Sequence, residues 1–401
     1  MTILAILVLT FILRLTLSPL GNHPIDINDW IGWSNRLVEV PFSKFYDAWS
    51  DYLPGYLYVL WFLGNFKNFI YSFGLNIPLE IIYKFPAILA DLTLVFVAYK
   101  ISRKFFDQKK SLIIAAINAF NPAIFANSSL WGQIDVLNTL FYILTFLLLI
   151  RKRILLSGVI LAISLLIKPQ GVFILPFIFL LILKEKWSLV EIIKSFSISL
   201  IIFLGAFIPF SNKINIIQFI FERYFTSLNQ YQYTSLNAFN FWAIGQRWWK
   251  LDSQIWSGLS LHYWGILIFI IFSSIILWKF WRNYKGDENE KFYIVNFSLA
   301  LMFFGGFIFL TRVHERLLLT PLIFLMLAAI FKKELWVFVL IFSITYAANL
   351  YFSFIWITQN FRHVLSNNMI NTFSSINIFV FIVLLILLLK ERSDIIKSKT
   401  I

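Results

Sequence analysis

The sequence predicts an all-α, polytopic bundle of membrane helices. Three observations lead there. Of its 401 residues, 60% are hydrophobic and 13% charged, against roughly a quarter charged in soluble domains. Apolar runs of roughly 16–22 residues recur along the chain, close to the ~20 that cross a bilayer as a helix. Basic residues gather in alternate loops between those runs, as the positive-inside rule requires.

About twelve spans follow, at 1–20, 81–99, 111–126, 133–150, 154–167, 171–184, 190–209, 261–280, 292–310, 316–331, 335–356 and 374–390. The first has no positive n-region and no small-residue cleavage site, so it reads as a span and not a signal peptide. The basic loops are Lys100–Lys110, Arg151–Arg153, Lys184–Lys194, Lys279–Lys291, Lys332–Lys333 and Lys390–Lys399. They place both termini in the cytoplasm of a cell membrane. They also account for the net charge of +14, so no nucleic-acid partner is implied. Segment 54–73 is long enough to span, but a span there would invert every later loop. It reads as a helix lying on, or re-entering from, the outer surface. Its tyrosines and tryptophan suit an interface. Residues 1–401 form one integral-membrane domain with large outer loops at about 21–80 and 211–260. The chain has no cysteine, which excludes disulfides and thiolate chemistry.

Polar residues are concentrated in clusters that this topology puts on the outer side. The first loop carries Asp26 and Asp29, three apart and on one face if the segment is helical, with Trp30 and Trp33 beside them. Desolvation of a carboxylate there raises its proton affinity and suits a general base. The bland alternative is that Asp26 caps a helix and Asp29 faces water, a reading the other clusters weaken. Asp51 and Tyr52 follow in the same loop. The run Trp131-Gly132-Gln133-Ile134-Asp135 follows Asn121-Pro122 and reads as a turn at a helix end. Its indole, amide and carboxylate suit sugar hydroxyls, or simply cap an interhelical turn. Lys168, in Lys168-Pro169-Gln170, is a cation on the outer side and needs a partner: a phosphate, a lipid headgroup or an Asp. Asn237-Ala238-Phe239-Asn240 offers paired amides among aromatics. Arg312-Val313-His314-Glu315-Arg316 is the densest cluster. Its two arginines, four apart, share a face if helical and hold a phosphate with His314 between them. Glu315 orients one of them. Within the spans, Arg14 and Asp91 read as a bundle ion pair or a functional site. His262 and His363 stand isolated and read as interface residues. No His, Asp or Glu set has metal-ligand spacing.

The order of these motifs resembles the GT-C superfamily of integral-membrane glycosyltransferases. The resemblance rests on Asp26, the run Phe45-Tyr46 with Asp51-Tyr52-Leu53-Pro54-Gly55-Tyr56-Leu57-Tyr58, the Trp131–Asp135 turn, Lys168-Pro169-Gln170, Asn237–Asn240 and Arg312–Arg316. The last run is similar to a His-x-His-Glu-Lys region of dolichyl-phosphate-glucose-dependent glucosyltransferases, with Arg312 for the first His and Arg316 for the Lys. Prokaryotic mannosyltransferase-like members look closer. The resemblance implies a polyprenyl-phosphate-sugar donor, a glycan, lipid or protein acceptor and inverting transfer on the extracytoplasmic face. A first-loop Asp is the base, Asp26 with Asp29 as its alternate. The expected phosphate ligands are Lys168, Arg312, His314 and Arg316. The expected sugar or acceptor contacts are Trp131, Gln133, Asp135, Asn237, Asn240, Asp51 and Tyr52. The sugar is a hexose, mannose or glucose. No cofactor is required, though a pair of acids is able to hold Mg or Mn. The competing readings are a lipid-linked oligosaccharide ligase or polymerase, and a transporter or flippase. A flippase would line a path with Asp91, whereas helix packing around Asp91 would argue against one.

Overall fold

The computed structural model describes residues 2–211 and 215–391. It is helical nearly throughout, with one two-residue hairpin, Ile255–Trp256 with Leu259–Ser260. Helix starts are written into the sequence. Thr2, Asp107, Ser260, Asp287 and Ser366 each cap a helix by accepting a backbone N–H. Ser188 and Glu191 form a complete capping box. Pro24, Pro54 and Pro122 open helices, where a missing N–H costs nothing.

A helix covers most of each of the twelve expected spans. Among the described residues, seven are long and apolar enough to cross a membrane: Ile3–Leu20, Leu79–Ser102, Leu189–Phe210, Leu261–Asn283, Glu288–Phe309, Lys333–Thr358 and Asn367–Lys390. An eighth is made by Gln108–Ala119 and Pro122–Trp131, bent by 41° at Asn121-Pro122. The expected count of about twelve therefore exceeds what length supports. Asp135–Ile150 has 16 residues, Ile154–Ile167 has 14, and Leu175–Glu185 and Leu319–Ala329 have 11 each. At about 1.5 Å per residue these fall short of a ~30 Å hydrocarbon core. Segment 54–73 forms the helix Pro54–Ser72, which is not among the apolar spans. Residues 392–399 of the last basic cluster lie outside the described residues.

The chain divides into two compact units. The first comprises Met1–Phe120, Ile124–Leu175 and Lys186–Gln230. Its core is aromatic, with Trp30, Trp33, Phe45, Tyr56, Tyr83, Phe207 and Phe210 buried together with Leu57, Leu60 and Leu166. The helix Pro54–Ser72 packs on Pro24–Glu39 through Gly64, where a Cβ would stand 2.5 Å from Ser34 Oγ. This close seat fixes the helix that carries the first-loop carboxylates. The second unit comprises Asn121–Ala123, Pro176–Glu185 and Tyr231–Ile401. The helix Glu288–Phe309 runs through it, buried from Phe292 to Phe309, with Leu319–Ala329 buried beside it.

Candidate active site

In the first unit the site begins with a turn. Residues Ala126–Trp131 wind as a wide π-turn, and Gly132 follows with φ +92°. Such widened turns are frequent at functional sites. The Asn127 carbonyl accepts from both Gly132 N (3.0 Å) and Gln133 N (2.9 Å), and Asp135 opens the next helix. A side chain at Gly132 would meet Lys84 Cε at 2.9 Å. Glycine is thus required by conformation and by space.

Asp26 lies in the first turn of Pro24–Glu39 and faces this structure. Trp131 Nε1 donates to Asp26 Oδ2 at 3.3 Å, and Gln133 Nε2 donates closely to the same oxygen. His23 caps the Asp26 helix. Its backbone N donates to Trp131 O at 3.1 Å, and its ring stacks on the Trp131 indole at 5.1 Å between centroids. His23 Nδ1 stands 3.2 Å from both Asp26 N and Asp26 Oδ2. A neutral ring accepts from the amide there, and a protonated one donates to the carboxylate. The contacts to the Asp26 carboxylate, from Trp131, Gln133 and His23, all engage Oδ2, and its side chain keeps 21% of its surface exposed.

Asp29 is half-buried on the same helix. Burial first, and then the nearby Asp26 carboxylate, push its carboxyl above the usual range. Trp30 and Trp33 turn into the core with Ile27 and Leu37. Tyr52 packs against both tryptophans and Tyr56, and its carbonyl accepts from Tyr46 OH at 2.7 Å. Asp51, beside it, is half-buried.

Asp135 is buried and paired with Lys168, Nζ to Oδ1 at 2.6 Å. Of the partners expected for Lys168, a phosphate, a lipid headgroup or an Asp, the structure supplies the Asp. Among the described residues, Asp135 Oδ2 and Gln133 Oε1 are buried acceptors without a donor. Arg14 and Asp91 form a fully buried ion pair at 2.8 Å. Arg14 also donates to Ala119 O, and Ser128 donates to Asp91. Asp91 therefore sits in helix packing, which weighs against the flippase reading.

The sequence reading missed Lys84. Its buried ammonium donates to the carbonyls of Ser18 (2.7 Å), Gly21, Ser129 (2.9 Å) and Leu130 (3.2 Å). It ties the end of the first helix to the π-turn, and so holds Trp131 and Gln133 where they meet Asp26. A charge inside an apolar span is the signal that would have found it.

In the second unit the asparagine loop and the arginine run pair with each other. Arg312 N donates to Tyr233 O at 2.8 Å and Leu236 N to Val313 O at 3.0 Å. His314 bridges to Leu236 and Asn237 and meets the Tyr231 ring edge-on. Arg312 has φ +64°, so the helical face expected for Arg312 and Arg316 does not form. Helix begins only as the short turn Glu315–Leu318. Glu315 is buried, 4.0 Å from Arg316. Asn237 Oδ1 accepts from Trp249 Nε1 at 2.8 Å, and Asn240 caps Phe241–Ala243. Asn349 and Asn377, on two helices, bind the backbone of 237–239. Asp252 was also missed. It is buried, and its Oδ2 accepts from Arg312 Nε (2.7 Å) and Thr311 Oγ1 (3.0 Å). His262, expected to be isolated, lies 3.4 Å from that carboxylate and 2.8 Å from Thr311 Oγ1. The loop that brings 252 back to 262, with His262 N bonded to Asp252 O, explains the difference. His363 packs on Trp248 and Phe352.

Among the described residues, no three His, Cys, Asp or Glu side chains gather as metal ligands. Residues 69–213 match the model of a family described as dolichyl-phosphate-mannose-protein mannosyltransferase, of GT-C type. The matched stretch holds Lys84, the Trp131–Asp135 turn and Lys168, and ends before the asparagine and arginine clusters. No curated protein matches the chain.

Proposed function

We propose that this chain, matched over residues 69–213 to a family of GT-C-type glycosyltransferases, transfers a hexose, mannose or glucose, from a polyprenyl-phosphate donor to an acceptor hydroxyl. The reaction runs on the extracytoplasmic face of a cell membrane with inversion at the anomeric carbon. The observation that carries this reading is the clamp on Asp26. Two side-chain donors from the Trp131–Asp135 turn hold one carboxylate oxygen, which leaves Oδ1 to take a proton. A general base needs this fixed orientation.

In the reaction, the acceptor oxygen forms its bond to the anomeric carbon as the bond to the lipid phosphate breaks. The hydroxyl proton passes to Asp26, and the lipid phosphate leaves with the electron pair. Asp29, half-buried and with a raised proton affinity, is the alternate base or positions the acceptor. Gln133 Oε1 and Asp135 Oδ2, buried acceptors, suit sugar hydroxyls, which are donors. Asp51 and Tyr52 border the same helix as acceptor contacts. Lys168 serves the donor phosphate by sharing itself with Asp135. In the second unit, Arg312, His314 and Arg316 have the chemistry a departing phosphate needs, with Glu315 orienting Arg316. Asn237 and Asn240 act there by shaping the loop that meets His314. Lipid phosphate is a stable leaving group, so the reaction needs no metal, and EDTA is expected to leave its rate unchanged. An oligosaccharide ligase would not need a clamped first-loop carboxylate, and for that reason the transferase reading is preferred.

The test is transfer by the purified chain from a panel of radiolabelled polyprenyl-phosphate monosaccharides to membrane acceptors. Transfer from one donor, lost in Asp26→Asn, is the expected result. Absence of transfer from every donor by folded protein refutes the reading. Activity that survives in Asp26→Asn and vanishes in Asp29→Asn moves the base.

A further inference from the structure

Two cations in the second unit remain outside every role described so far: Lys184 and Arg282. They come from two of the basic loops that the sequence marks, and the structure brings them to one place. The helices Leu175–Glu185 and Leu261–Asn283 end side by side. Phe177 packs on Phe280 at 5.0 Å, and Tyr284 OH donates to Glu185 at 2.7 Å. Between the helices runs a groove of about 360 Å³ lined by Pro176, Phe179, Leu180, Leu277, Trp278 and Trp281. Its walls are apolar and open to the outside, with Phe179 61% and Trp278 52% exposed.

The cations sit at one end of this groove. Lys184 Nζ lies 4.2 Å over the Trp281 ring, and Arg282 lies 5.5 Å over Trp278. Glu185, next to Lys184 in the chain, is engaged by Lys291 at 2.7 Å as well as by Tyr284. Among the described residues neither cation has a carboxylate within ion-pair distance. The result is a dry furrow with aromatic walls and a positive mouth at the helix C-termini.

We propose that this groove binds one anionic glycerophospholipid, with an acyl chain along the furrow and its phosphate between Lys184 and Arg282. Shape and charge both select an amphiphile with a negative head. Cations placed only to orient the chain by the positive-inside rule would need no apolar furrow beside them. Basic pockets between membrane helices bind anionic headgroups in this way, each cation adding roughly fivefold.

The test uses the full-length protein, stripped of lipid in detergent, with native mass spectrometry to count retained lipids. Phosphatidylglycerol and phosphatidylcholine of equal chain length are compared. The wild type is expected to retain phosphatidylglycerol preferentially. Lys184→Gln and Arg282→Gln should each cost about fivefold, and Lys184→Arg should cost little. Phosphatidylglycerol brominated in its chains locates the site. Its quenching of tryptophan fluorescence should fall when Trp278 and Trp281 are both replaced by Phe. Equal retention of the two lipids overturns the proposal. So does unchanged preference in the double Gln variant, or quenching that ignores the two replacements. If the double variant fails to fold, the quenching comparison and the single substitutions decide.

Discussion

The side-chain amide of Gln133 donates to Oδ2 of Asp26 and joins residues 107 positions apart. The contact is charge-assisted, and it ends in a turn fixed from three sides: by Gly132, by the His23–Trp131 stack and by Lys84. The proposed base is therefore oriented by a part of the chain that the first loop does not contain.

Asp26→Asn is expected to lower transfer by roughly 10²–10⁴-fold, the range of a lost general base. Gln133→Ala leaves the base and removes one hydrogen bond to a charged group. It should cost about 1.5–3 kcal/mol, or roughly 10- to 100-fold in kcat. Initial rates at saturating donor measure both. Equal rates for wild type and Gln133→Ala would show that the clamp is idle.

Asp29 predicts a pH effect on stability. Its folded-state carboxyl holds its proton to higher pH than its ordinary value of 3.8. Its contribution to stability is complete below that value and is lost as pH rises through the raised folded value. Asp29→Asn keeps the uncharged form at every pH. The variant should melt above wild type at pH 7, and the difference should close below about pH 4. Thermal melts in detergent across that range check the sign.

Lys84 and Gly132 predict a shared defect. Lys84→Met strands four carbonyls and is expected to cost about 3 kcal/mol or more. Gly132→Ala forces a left-handed backbone onto alanine at about 1–2 kcal/mol and also presses on the lysine stem. Both should lower thermal stability, and both should lower transfer in the protein that remains folded. Combined, they should lose less than the sum, because they disturb one contact.

Asp252→Asn is expected to act through Arg312. The amide preserves size but removes the charge that holds the guanidinium. Donor KM should rise while kcat changes less. A loss in kcat alone would detach Asp252 from donor binding.

Local information in the sequence went far for the helices and less far for the site. Caps, prolines and apolar runs marked where helices begin and end, because those signals act over a few residues. The chemistry of Asp26, Trp131 and Gln133 was legible as residue type, and the Arg14–Asp91 pair as complementary charges in two spans. Pairings across the chain were not. Arg312 and Arg316 have helical spacing, yet a backbone bridge to Leu236 and Asn237 overrides it. Asp252 lies in a tryptophan-rich loop with no local mark, and its role exists only after the chain returns to Thr311. Asp135–Ile150 reads as an apolar run after its opening Asp135, and only its length separates it from a full span.

The cage around Lys84 has a consequence for the order in which the protein is made. Ser18 and Gly21 leave the ribosome before the lysine, and Ser129 and Leu130 some forty-five residues after it. A nascent chain ending near residue 120 holds Asp26 and half of the carbonyl set, without the turn that orients the carboxylate. The proposed base is thus oriented only once a later segment arrives. Substitutions that delay insertion of the Trp131 turn should leave young chains inactive before they leave them unfolded.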